Sequence, residues 1–238
     1  MKKLLIATSV VIGLSASAQA VESTAVLKLT GVLTNGACIP ELSGGGVVDF
    51  GTKAVSDLLP TEDNQLGYQD FTLTIQCLSP TIVGWTVEDD RADSKAGVNI
   101  TGDGTTYNGF TLNPTQTNMY GFGLGTTTGG INIGAYVMSA DDKNALADGQ
   151  PAKLLSGSTS YTVDSNWAVG SPLPMRPNYG YMYTIGSVRS ETQYGQPDAI
   201  TTAVFPLRVA AAVQGTNTLA ITDNTTLDGQ ATFTLVYL

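Results

Sequence analysis

Phe71-Thr72-Leu73-Thr74-Ile75-Gln76-Cys77 alternates without a break: Phe71, Leu73, Ile75 and Cys77 lie on one parity, Thr72, Thr74 and Gln76 on the other. Successive side chains of a β-strand point to opposite faces, so this is the pattern of a half-buried strand with Cys77 turned inward. On either side of it, shorter apolar or alternating runs recur at residues 47–50, 82–87, 131–138, 181–185, 203–213 and 231–238, separated by Gly, Asn, Asp and Pro clusters. About eight strands divided by turn signals indicate an antiparallel β-sandwich. Helical signals are scarce: residues 141–155, with Ala145, Leu146 and Ala147, hold the best of them, and Gly149-Gln150-Pro151 interrupts it.

Composition agrees with a folded, loop-rich chain. Of 238 residues 42% are apolar, too many for a disordered chain, and only 13% are charged, about half the usual share. Eleven basic against 20 acidic residues give a net charge of -9, the wrong sign for tracking phosphates, so no nucleic acid is expected as a partner. Histidine is absent, which removes Ser-His and Cys-His catalytic pairs, His metal ligands and imidazole acid/base chemistry. No catalytic residues, cofactor or metal are expected, and the chain does not read as an enzyme.

Lys2 and Lys3, the apolar run from Leu4 to Leu14 and the small-x-small end Ala18-Gln19-Ala20 read as a secretory signal over residues 1–20, cleaved after Ala20. The run is too short to span a bilayer. Export changes the reading of Cys38 and Cys77, the only cysteines: a disulfide is the first expectation, and a pair of free or metal-binding thiols is the rival. Closing a loop of about 40 residues would stabilise the fold by about 4 kcal/mol in the chain-entropy model.

Strand patterns also stand at the two ends of the mature chain. In residues 25–33, Ala25, Leu27, Leu29, Gly31 and Leu33 share one parity, and Val26, Lys28, Thr30 and Val32 the other. At the carboxyl end Ala231, Phe233, Leu235 and Tyr237 alternate with Thr232, Thr234 and Val236 up to Leu238. An apolar edge strand with nothing after it is an aggregation hazard unless another chain pairs there. The simpler alternative is that both are ordinary sheet strands that pair within one monomer.

The segment Gly31-Val32-Leu33-Thr34-Asn35-Gly36-Ala37-Cys38 resembles the amino end of chaperone/usher pilus subunits. The ending Gly229-Gln230-Ala231-Thr232-Phe233-Thr234-Leu235-Val236-Tyr237-Leu238, with its penultimate tyrosine, is similar to that family's closing strand, and the two cysteines stand about as far apart as its disulfide pair. A longer pilus-protein subfamily looks closer still, on Gly44-Gly45-Gly46-Val47-Val48-Asp49-Phe50-Gly51, Asp90-Arg91-Ala92, Phe122-Gly123-Leu124-Gly125, Ile133-Gly134-Ala135 and Thr202-Ala203-Val204-Phe205-Pro206-Leu207.

The resemblance implies an incomplete immunoglobulin-like Greek-key sandwich at residues 35–238, preceded by a donor-strand extension at residues 21–34. Ala25, Leu27, Leu29, Gly31 and Leu33 would insert into the apolar groove of a neighbour, and Ala231, Phe233, Leu235 and Tyr237 would line the acceptor groove and meet the chaperone. Such an insertion is strand addition between chains, and its buried aliphatic side chains would contribute several kcal/mol per junction. Implied partners are neighbouring pilus subunits joined head to tail, a periplasmic chaperone and an outer-membrane usher, with passage through the periplasm to a fimbrium on the cell surface. The competing reading is a soluble, monomeric periplasmic binding or regulatory protein whose first strand completes its own sandwich.

Other motifs favour plain structural readings. Asn99-Ile100-Thr101-Gly102-Asp103-Gly104 imitates a calcium loop, but its twelfth position is Phe110 where a bidentate Glu is needed, leaving a glycine-rich turn. Gly121-Phe122-Gly123-Leu124-Gly125 lacks the third glycine and following helix of a nucleotide-binding turn. Asp89-Asp90-Arg91 reads as a local ion pair ending a strand, since adjacent strand carboxylates point to opposite faces. Trp85 and Trp167 read as packing residues and not as a sugar platform.

Overall fold

The structure, a computed structural model, describes residues 37–102, 106–107, 109–170, 174–177, 180–188, 194–222 and 224–238. The segments expected to be a signal and a donor strand, with Ala20, Ala25, Leu27, Leu29, Gly31 and Leu33, therefore lie outside the described residues.

The described strands are β1 (Cys38–Leu42), β2 (Asn64–Thr81), β3 (Val83–Asp89), β4 (Phe122–Gly123), β5 (Gly134–Ala140), β6 (Leu146–Ala147), β7 (Gln150–Pro151), β8 (Lys153–Ser158), β9 (Trp167–Val169), β10 (Tyr181–Val188), β11 (Tyr194–Pro197), β12 (Ile200–Val213) and β13 (Ala231–Tyr237). Two short helices are α1 (Pro114–Tyr120) and α2 (Thr216–Leu219). One sheet runs β1-β2-β12-β5-β4, with β6 beside β12 and β7 beside β6; the other runs β11-β9-β8-β10-β3-β13, with β11 also beside β10. The chain is thus an all-β antiparallel sandwich, as its sequence indicates.

The Phe71–Cys77 alternation sits inside β2, where Leu73 and Ile75 enter the core between the sheets. Trp85 anchors that core from β3: it is fully buried, with its ring centroid 4.9 Å from Tyr183 and 5.5 Å from both Phe205 and Phe233. Trp167 is equally buried, so both tryptophans pack. Cys38 and Cys77 are directly opposite in the β1–β2 register and form a disulfide.

Much of the middle of the chain covers the outside of the sheets. Ala96, Val98, Ile100, Leu112 and Tyr120 bury Ala135, Val137, Ala210 and Ala212 on the outer face of the first sheet. On the second sheet, Leu155, Trp167 and Met182 form a cluster against which Val236 and Leu238 pack. Strands β5 and the end of β12 are therefore buried on both faces, and they read as continuous apolar runs instead of alternations.

Two expectations are corrected. Residues 141–155 hold no helix but the β6–β7 hairpin and the start of β8: Asp148 (φ 49°) and Gly149 (φ 78°) make the left-handed two-residue turn between Ala147 and Gln150. Asp-Gly is the dipeptide that such a turn favours, and it prevails over the helix propensity of the alanines before it. The run at residues 47–50 is not a strand either; Gly44, Gly45, Gly46 and Gly51 all take positive φ around it, which breaks the extended chain.

Candidate functional site

β1 and β13 are edge strands, one in each sheet: among the described residues β1 pairs only with β2, and β13 only with β3. Their inner faces look toward the same core. At one end they are tied together, because the Cys38 backbone N–H donates to the Tyr237 hydroxyl at 2.9 Å. At the other end they diverge around an open groove of about 670 Å³, whose lining mixes apolar side chains with Asp49, Lys53, Asn224 and Gln230.

Ala231 and Phe233 of β13 form one wall, Leu66 and Phe71 of β2 contribute from the facing sheet, and Met138, Val209 and Val213 lie on the floor. The opposite wall is a strap, residues 43–58, that enters through Leu42 and presents Val48, Phe50 and Leu58. Backbone bonds in the strap stay local: Val47 donates to Gly44, Asp57 to Ala54 and Leu58 to Val55, at 3.4, 3.0 and 3.2 Å. Apolar contact of Val48, Phe50 and Leu58 with the core holds it down. Its far end is clamped by Asn64, whose side chain accepts from Leu59 N and donates to Leu59 O, at 2.6 and 3.1 Å.

The four carboxyl-terminal residues expected at the groove divide two and two. Ala231 and Phe233 line it, while Leu235 packs against the core and Tyr237, 54% exposed, bridges to β1. Phe233 stands edge-on to Phe71 at 6.4 Å, so the groove wall is continuous with the core aromatics. Sequence reading overlooked the strap, whose glycines signalled a turn but not its position.

The start of β13 is fixed by residues that the sequence offered as a possible carboxylate pair. Arg91 pairs with Asp228 at 3.0 Å and not with a neighbouring carboxylate, correcting the local ion pair expected there. Thr232 donates to Asp90 at 2.8 Å, and buried Asp89 accepts from Gly123 N at 3.0 Å and Arg91 N at 2.9 Å. Burial pushes the Asp89 carboxyl up, against the pull of those two backbone bonds. At the groove lip Gly229 admits nothing larger, since a Cβ there would stand 2.8 Å from the Tyr136 ring. Through these bonds the carboxylates tie the end of β3 to β4 and β13.

The family described as "Protein of unknown function (DUF1120)" matches residues 27–137. "Uncharacterized protein YhcF" of Escherichia coli (strain K12) is 33% identical over 246 aligned positions, covering 99% of this chain and 98% of its own length. "Protein GltF" of the same organism is 31% identical over 242 positions, covering 93% of this chain and 92% of its own.

Proposed function

The chain belongs to the DUF1120 family, and we propose that it is a structural subunit of a chaperone/usher surface fimbria that polymerises by donor-strand exchange. The observation that carries this reading is the groove beside the carboxyl-terminal strand, which is an edge of its sheet among the described residues. The groove opens to water, so the driving force for laying an apolar strand in it is the removal of its apolar lining, Leu66, Phe71 and Phe233 among it, from that water, at about 25 cal/mol per Å² of apolar surface buried.

In this reading β13 offers on one side backbone groups that no described strand pairs, with Phe233 below, and the extension at residues 21–34 of a neighbour supplies the missing strand. Leu27, Leu29 and Leu33, at about 1.5–3 kcal/mol each, would recover much of what the open groove forgoes. A periplasmic chaperone would occupy the same place before assembly, and an outer-membrane usher would release the growing fibre to the cell surface. The role is structural and not catalytic.

The test is to delete residues 21–34 from the mature chain. The truncated protein should still bind the chaperone and accept the donor peptide in trans, but should not polymerise. Normal polymerisation of the truncation would overturn the proposal. A full-length chain purified without chaperone as an indefinitely stable monomer would instead favour the self-completed periplasmic protein.

A further inference from the structure

The described residues include three arginines, and two have carboxylates: Arg208 reaches Asp70 at 2.6 Å and Arg91 reaches Asp228 at 3.0 Å. Arg176 has none. Its guanidinium carbon lies 4.6 Å from the Tyr181 ring centroid and 5.2 Å from that of Tyr120, and one Nη donates to the Tyr120 hydroxyl at 3.3 Å. A guanidinium carries five N–H donors, so the described residues take up only a small part of its hydrogen-bonding capacity.

The group is held in place from behind. Pro174, Met175 and Pro177 are buried around it, Met175 N donates to Met138 O at 2.8 Å, and Arg176 N donates to the Tyr183 hydroxyl at 3.0 Å. Two prolines and two backbone bonds thus fix the chain on which the partly exposed side chain stands. Tyrosine rings partly replace the water around the charge and stabilise it electrostatically, but they offer no planar acceptor to its fork.

We propose that Arg176 is the anchor of a ligand site and receives the carboxylate of a small organic acid, free or part of an acidic sugar. A carboxylate matches the guanidinium edge with two parallel N–H···O bonds, and flanking rings limit the rotamers that Arg176 must lose on binding. The site joins the end of α1 to the start of β10, and none of Tyr120, Arg176 and Tyr181 lines the groove, so it stands whether or not the strand-exchange reading does.

The test follows the arginine Nε–H resonances of the mature chain by NMR while sodium glucuronate, sodium N-acetylglycinate, glucose or sodium chloride is added. Both carboxylates should shift the Arg176 signal saturably, with a Kd on the order of 1–10 mM. Tighter glucuronate binding identifies an acidic sugar as the source; equal or tighter N-acetylglycinate binding identifies the carboxylate alone. Arg176→Gln should weaken binding at least ~10-fold, whereas Arg208→Gln should leave it within about twofold. Equal shifts with glucose or chloride, no saturable shift with either carboxylate, or unchanged binding in a folded Arg176→Gln protein would overturn the assignment.

Discussion

Replacing Phe233 with Asp probes the groove most sharply, because Phe233 belongs to both the core and the wall. Its ring lies 5.5 Å from Trp85 and 6.4 Å from Phe71, and its inner face borders the cavity. With no strand bound the new carboxylate can turn toward groove water, so the loss is part of the ~1.5–3 kcal/mol that burying a large apolar side chain contributes. With a strand in the groove that water is expelled. An unpaired carboxylate then meets a desolvation penalty of several kcal/mol. At 1.4 kcal/mol per tenfold, a differential of about 3 kcal/mol weakens strand binding by on the order of 100-fold. Fluorescence polarisation of a labelled peptide of residues 21–34, added to the chain lacking those residues, reads this directly. Phe233→Leu should lose less than tenfold, and Leu78→Asp, at an 84% exposed position, should change nothing. Unchanged peptide affinity in a folded Phe233→Asp protein would refute the placement of the strand.

Three further outcomes concern the fold. Replacing Cys38 and Cys77 together by Ala should lower stability by about 4 kcal/mol, read as a drop in urea midpoint that reductant reproduces in the parent chain. Gly229→Ala should cost about 1–3 kcal/mol, because its Cβ would crowd the Tyr136 ring; a midpoint equal to the parent's would contradict the close approach. Carboxyl NMR titration should separate two aspartates. Asp148, held by Thr201 and Thr202, titrates below its ordinary value, so its stabilising contribution is present above that value and lost as pH falls through the folded one. Asp89, raised by burial, titrates above its ordinary value, and its contribution is greatest at low pH and lost as pH rises through the folded value.

The strands whose one face meets the core were legible because alternation survives in them: Phe71 to Cys77 and Ala231 to Tyr237 are both strand. Where both faces are buried, as in β5, periodicity carries no register and the boundary shifts by a few residues. Helix α1 was missed although its capping signal was present: Asn113 accepts from Gln116 N, Gln116 accepts from Asn113 N, and Pro114 opens the helix. Strand parity puts Ala231 and Phe233 on one face, and both line the groove. The groove's other wall could not be read from the sequence, since Val48 and Phe50 reach the cavity from a strap whose course depends on four left-handed glycines. Arg91 likewise looked like the partner of its neighbours, yet its carboxylate is Asp228, 137 residues away.

Backbone amide exchange along β13 tests the central claim most directly. It would be measured in the chain lacking residues 21–34, with and without a synthetic peptide of those residues. Addition of the peptide should slow exchange at alternate β13 amides between Ala231 and Leu235, those facing away from β3, and raise the melting temperature. Exchange along β13 that is unchanged by saturating peptide, in a truncated chain as stable as the full one, would contradict the account.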